Sequence, residues 1–146
     1  MKITVRPVLD PDTVAPADHH DIPHKLAEVV RYRNPVEVFP YGTLPARTPW
    51  GTADLDHTVP YLAPARGGPP GQNRPDNLGP LSRHHHRAKT IGGWAVRQPE
   101  AGLFLWRSPQ GFVYTVDQFG THAHGVGLYA RALWAAVRVG AVSTVA

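Results

Sequence analysis

The sequence predicts an α+β domain with a strand–loop–helix unit at its middle and an antiparallel meander after it. Three observations carry this expectation. The stretches "KITVR" and "ADLDHTV" alternate polar and apolar residues with the two-residue repeat of strands. "PHKLAEVVRYR" places Leu26, Val29 and Val30 near helical spacing behind a proline start signal. "WAVRQ", "LFLWRS" and "FVYTV" are strand-like runs separated by "PEAG" and "SPQG", which carry turn chemistry.

In chain order, a short strand is expected over residues 2–6, followed by an irregular Pro/Asp/His-rich stretch. A helix over about residues 23–33 follows, ended by Asn34–Pro35, because a residue before proline is driven out of the helical region. "VEVFPYGTLPARTPWGT" reads as a loop or loose hairpin broken by Pro40, Pro45 and Pro49. "ADLDHTV" is then a strand with Leu55 on one side and Asp54 and Asp56 on the other. Residues 60–75 hold too much proline and glycine for regular structure. Asp76 or Asn77 can cap a helix running to about Thr90, with Pro80 in its first turn and Gly92–Gly93 as the stop. A three-stranded meander is expected over about residues 94–116. The apolar tail reads as a terminal helix with Leu128, Leu133 and Val137 inward, cut short by Gly140. There is no internal repeat.

Composition narrows the function classes. With 146 residues the chain is sized for one domain with a modest core. Fifteen Lys+Arg against eleven Asp+Glu give a net charge of +4, which fits a polyanionic partner without demanding one. The absence of cysteine excludes disulfides, thiolate zinc ligation and a cysteine nucleophile. No apolar run approaches the roughly 20 residues that span a bilayer, and "MKITVRPVLD" lacks the apolar core of a signal peptide. No membrane association is expected, and the cytoplasm is the default location. Sixteen prolines and fourteen glycines imply short elements and many loops, which need local ties to hold them.

The residues with chemistry cluster in two places, Asp56–His57 on the strand and His84–His85–His86 on the following helix. If strand and helix pack together, Asp56 and one helical histidine can share a divalent cation, with water and substrate filling the rest of its shell. Alternation sends His57 to the other side of the strand, where it could act as a base on water.

"DLDHTVPY" and "NLGPLSRHHHRAKTIGGW" together resemble the HNH endonuclease motif, the ββα-metal fold. The similarity is to the subtype at the C-terminal end of actinobacterial proteins that carry a large preceding domain of unknown function. "VRPVLDPDTVAP", "VEVFPYGTLPAR" and "FLWRSPQGFVYTVD" are similar to its flanking segments, so the likeness covers about residues 3–120. It implies a small ββα finger flanked by the meander, with residues 1–35 as the end of a lost or separate preceding domain, 36–120 as the nuclease-like domain and 121–146 as a tail. It also implies Asp56 and His86 as metal ligands, His57 as general base and Asn77 as the residue that holds loop and base. Arg83, Arg87 and Lys89 would contact the phosphates of DNA, and His84 faces solvent within reach of them. The implied cofactor is a divalent ion, Mg²⁺ first, with Mn²⁺, Ni²⁺ or Zn²⁺ as alternatives, and the implied reaction is hydrolysis of a DNA phosphodiester.

The subtype also carries a structural zinc, held by cysteines and one histidine. The corresponding positions here are Glu37, Gly42, Ser82 and His85, of which only His85 is a good zinc ligand, so a four-coordinate structural zinc is not expected. Loss of that set keeps two other readings open: a degenerate domain that binds nucleic acid without catalysis, and an interaction module assembled by metal-bound histidines. Oligomeric state is not legible. Among the remaining residues, His19, His20, His24, His122 and His124 read as ordinary surface or hydrogen-bonding residues, and Asp54 as a solvated carboxylate. Trp94, Trp106, Phe112 and Tyr114 read as meander packing, and Gly67–Gly68 as turn chemistry.

Overall fold

The computed structural model describes residues 10, 13–18 and 20–138. The strand expected at residues 2–6, His19 and Gly140 lie outside the described residues. The architecture is α+β. Helix α1 (His24–Arg33) comes first, then the short strands β1 (Arg47–Thr48) and β2 (Gly51–Thr52), followed by β3 (Asp54–His57) and β4 (Leu78–Leu81). Helix α2 (Arg83–Ile91) leads into β5 (Ala95–Glu100), β6 (Leu103–Arg107), β7 (Val113–Asp117) and β8 (Gly120–Gly125), and α3 (Leu128–Ala136) closes the order. Among the described residues no helix is long and apolar enough to cross a membrane.

Helix α1 buries Leu26, Ala27, Val29 and Val30, the face its spacing defines, and Leu26 and Val30 pack on Leu78 of β4. Asn34 ends it by donating its backbone N–H (3.0 Å) and its side-chain amide (2.9 Å) to the carbonyl of Val30. The segment after it is a hairpin: Val36 bridges Pro45, and the backbone N–H of Glu37 donates to the carbonyl of Leu44 at 2.8 Å.

The helix expected from Asp76 or Asn77 begins later. Pro75–Asn77 is a single 3₁₀ turn, and Leu78–Leu81 form β4, antiparallel to β3 with Asp56 opposite Gly79 and His57 opposite Leu78. All four residues of β4 are buried, and this tertiary demand overrides the helix-start reading of Pro80. A two-stranded ladder has only edge strands, which tolerate proline, and the Pro80 carbonyl accepts from the N–H of Val38 at 2.9 Å. Ser82 is the true cap of α2, its hydroxyl accepting from the backbone N–H of His85 at 3.3 Å. Gly92 stops the helix as expected.

The meander has four strands in the order β5-β6-β7-β8, one more than expected. The extra strand, "GTHAHG", lies at the sheet edge and has no apolar alternation to announce it. Strand β6 is buried on both faces. Phe104 and Trp106 join Val38, Phe39, Leu81 and Val116 on one side, and Leu105 meets Val113, Ala130 and Trp134 on the other. The Trp106 indole N–H donates to the Val38 carbonyl at 2.7 Å and ties the sheet to the hairpin beside the β3–β4 ladder. Trp94 and Tyr114 pack at the edge of this core, whereas Phe112 is exposed, contrary to its expected packing role.

Helix α3 forms where the tail was read as helical, with a different inward face. Ala130 and Trp134 are the buried pair, Leu133 and Val137 lie at the margin, and Leu128 is 80% exposed. The small Ala130 allows close approach to the sheet, and Trp134 fills the next turn of the same face. The guanidinium groups of Arg97 and Arg107 stand 4.1 Å and 4.5 Å from the Trp134 ring centre, and Arg97 donates to the carbonyls of Trp134 and Val137 at the helix end.

Packing is tightest where β4 crosses the core. A Cβ added at Gly79 would stand 2.7 Å from Val38 Cγ2 and 2.8 Å from the Phe104 ring. Gly79→Ala is therefore expected to cost about 1–3 kcal/mol through overpacking, read as a lowered midpoint in denaturant unfolding. An unchanged midpoint would show that the hairpin and Phe104 yield freely.

Candidate metal centre

Three elements build the site. The β3–β4 ladder presents Asp56, α2 crosses it, and the long loop between the strands folds back over His57. Asp56 and His86 converge as expected, with Asp56 Oδ1 3.1 Å from His86 Nε2. The Asp56 side chain is 14% exposed and that of His86 45%, so the carboxylate is sheltered while the imidazole faces the open side. Two ligands about 2.1 Å from one octahedral ion and at right angles are about 3.0 Å apart, so the spacing fits cis ligation of a Mg²⁺-sized cation. Among the described residues no group of three or more His, Cys, Asp or Glu side chains could hold a metal. An ion here would take two protein ligands and leave the rest of its shell to water and phosphate oxygens.

His57 points away from Asp56, as strand alternation requires. Its Nε2 lies 2.7 Å from the side-chain oxygen of Asn73, and its ring is 5.7 Å from that of Tyr61. With Asn73 accepting, Nε2 carries the proton and Nδ1 keeps its lone pair. Burial lowers the His57 pKa from its ordinary value, outweighing the hydrogen bond to the Asn73 oxygen and the charge of Asp56, so the imidazole is neutral at neutral pH.

Asn77 holds the loop. Its side-chain oxygen accepts from the N–H of Val59 at 2.8 Å, and its amide donates to the carbonyls of Gln72 at 3.0 Å and Val59 at 3.3 Å. The ring of His57 is held instead by Asn73, which sequence reasoning missed. Asn73 is fully buried and forms an isolated bridge with Ala17, and its amide reaches the carbonyl of Asp21. It sits in the Gly/Pro-rich stretch where no periodicity distinguishes one polar residue from another.

The three basic residues of α2 separate. Arg83 is exposed, with Nε 3.4 Å from Asp54 Oδ2, and Arg87 is exposed as well, so both remain open to phosphate. Lys89 is turned inward. Its side chain is 14% exposed, and its ammonium donates to Asp56 Oδ2 and to the backbone carbonyl of His57. Three residues along a helix return to nearly the same face, which sets Lys89 on the same side of α2 as His86.

Glu37, Gly42, Ser82 and His85 also converge. The Glu37 carboxylate, 4% exposed, lies 2.7 Å from His85 Nδ1 and accepts from the Ser82 N–H at 3.0 Å and the Leu44 N–H at 3.4 Å. His85 stacks on Phe39 with ring centres 4.0 Å apart. A Cβ on Gly42 would stand 2.6 Å from Glu37 Cγ, so the carboxylate side chain occupies the space a side chain at 42 would need. The clasp joins the hairpin to the first turn of α2 and so fixes the helix that carries His86 and Lys89.

The chain is similar to a protein of Mycobacterium tuberculosis named "Uncharacterized protein Rv3776", with 38% identity over 106 residues, covering 68% of this chain and 18% of that protein. The chain therefore spans less than a fifth of that relative's length. No family model matches it, and no solved structure does.

Proposed function

We propose that this protein is an HNH-type endonuclease that hydrolyses DNA phosphodiester bonds with a divalent cation. The observation that carries the reading is the approach of Asp56 Oδ1 to His86 Nε2 at 3.1 Å. An ion held by Asp56 and His86 would supply Lewis-acid stabilisation of phosphate charge. His57 takes the proton of the attacking water at Nδ1, while Asn73 holds the ring through Nε2 and Asn77 holds the loop behind it. Arg83 and Arg87 lie on the exposed face of α2, where a DNA backbone would track, and the net charge of +4 favours such a polyanion.

One observation favours a second reading, a non-catalytic nucleic-acid-binding module: the Lys89 ammonium already neutralises Asp56. A supercoiled-plasmid assay with Mg²⁺, Mn²⁺ or Ni²⁺ separates the two. The nuclease reading expects metal-dependent nicking that stops with chelator and is lost in Asp56→Ala and His86→Ala. Salt-sensitive DNA binding with no nicking under any ion would replace it with the second reading.

A further inference from the structure

We infer that Lys89 is a built-in counter-ion that makes divalent-cation binding at Asp56 and His86 depend on a phosphodiester being present. The inference rests on the nuclease reading and concerns how that same site is loaded.

The acidic chemistry of the pair resides in one carboxylate, and Lys89 neutralises it: Oδ1 of Asp56 faces His86 and Oδ2 takes the ammonium. Both side chains of the ion pair are 14% exposed, so solvent screens it only in part. The His57 carbonyl is the second acceptor, which fixes the ammonium between the ligand-bearing and base-bearing residues. A hard divalent ion draws its affinity from carboxylate charge, and here it would meet one neutralised carboxylate, one imidazole and a fixed positive charge close by. A phosphodiester changes both quantities that are short. It brings negative charge to offset Lys89 and oxygen atoms to complete the coordination shell. An ammonium has three N–H groups and two are engaged, which leaves one for a phosphate oxygen. Arg83 is paired with Asp54 and not with Asp56, so it does not set the charge at the metal pair.

The test is a Mn²⁺ titration of the free protein and of its complex with a short DNA duplex, followed by calorimetry, in a His57→Ala background so that the duplex stays intact. The chain is compared with Lys89→Gln, which keeps donors but not charge, Lys89→Met, which keeps neither, and Lys89→Arg, which keeps charge. Free Lys89→Gln and Lys89→Met are expected to bind Mn²⁺ about tenfold tighter, because a like charge within a few ångströms is removed. The duplex should tighten Mn²⁺ binding of the Lys89 protein by about tenfold or more, by supplying phosphate charge, and that of the neutral variants by less. Lys89→Arg should keep the Lys89 pattern. Unaltered Mn²⁺ affinity in both neutral variants, or no effect of the duplex on the Lys89 protein, overturns the inference and leaves the nuclease reading standing. Failure of every variant to bind Mn²⁺ with or without duplex removes the nuclease reading and the inference with it.

Discussion

His57→Ala is expected to lower plasmid nicking by roughly 10²–10⁴-fold, the range a positioned general base contributes, with DNA affinity unchanged. The geometry separates these two effects. His57 is half-buried on β3, while the exposed cations Arg83 and Arg87 lie on α2. The substitution removes the proton acceptor and leaves the phosphate-binding face intact. It also removes the 2.7 Å hydrogen bond between the ring and the Asn73 oxygen, which costs about 0.5–1.5 kcal/mol of stability without dissolving the fold. Circular dichroism should therefore match that of the unsubstituted protein, with a modestly lowered unfolding midpoint. Nicking by purified His57→Ala at the unsubstituted rate would remove His57 from the chemistry.

Glu37→Ala carries the largest expected loss of stability, about 3–5 kcal/mol, because it breaks a buried hydrogen-bonded pair and leaves partners behind. The N–H of Ser82 loses its acceptor at the first turn of α2, and His85 Nδ1 loses its carboxylate. Denaturant unfolding with and without the substitution measures it, and a change below 1 kcal/mol would show that the clasp is ornamental. Acid should reproduce the loss. Burial raises the Glu37 carboxyl pKa, but the hydrogen bonds from His85 and Ser82 outweigh it and hold the group below its ordinary 4.5. A carboxylate depressed on folding contributes stability that is fully present above its unfolded value and is lost as pH falls through its folded value. The unsubstituted protein should thus lose stability below the ordinary carboxylate range, and Glu37→Ala should show a flatter acid limb.

The legible parts of this fold were those with a repeating apolar pattern. Leu26, Val29 and Val30 announced α1, and the turn signals around Leu103–Arg107 announced the meander. The missed parts lacked such a pattern or had one with two readings. "LGPL" before a serine and three histidines suits a helix entrance, and only the burial of Leu78 and Leu81 against α1 and the sheet makes it a strand. "GTHAHG" is an edge strand of small and polar side chains, and its pairing with β7 has no apolar alternation in the sequence to signal it. Within the site, strand-and-helix packing pointed Asp56 at one of the helical histidines, and the resemblance to the HNH motif singled out His86. The inward aim of Lys89 depends on which face of α2 meets β3, and the charge pattern of the helix does not mark that face. The grip of Asn73 on His57 depends on long-range closure with Ala17, which no local pattern encodes.

The crowding of Gly42 by Glu37 sets a direction on how this region can change. A side chain at position 42 collides with the glutamate stem at 2.6 Å, so any larger residue there is accepted only after position 37 has shortened. Shortening 37 first abandons the contacts that hold Ser82 and His85. A thiol pair at 37 and 42 is thus separated from the present sequence by a trough in stability: either single step costs stability, one through the clash and the other through the lost hydrogen bonds.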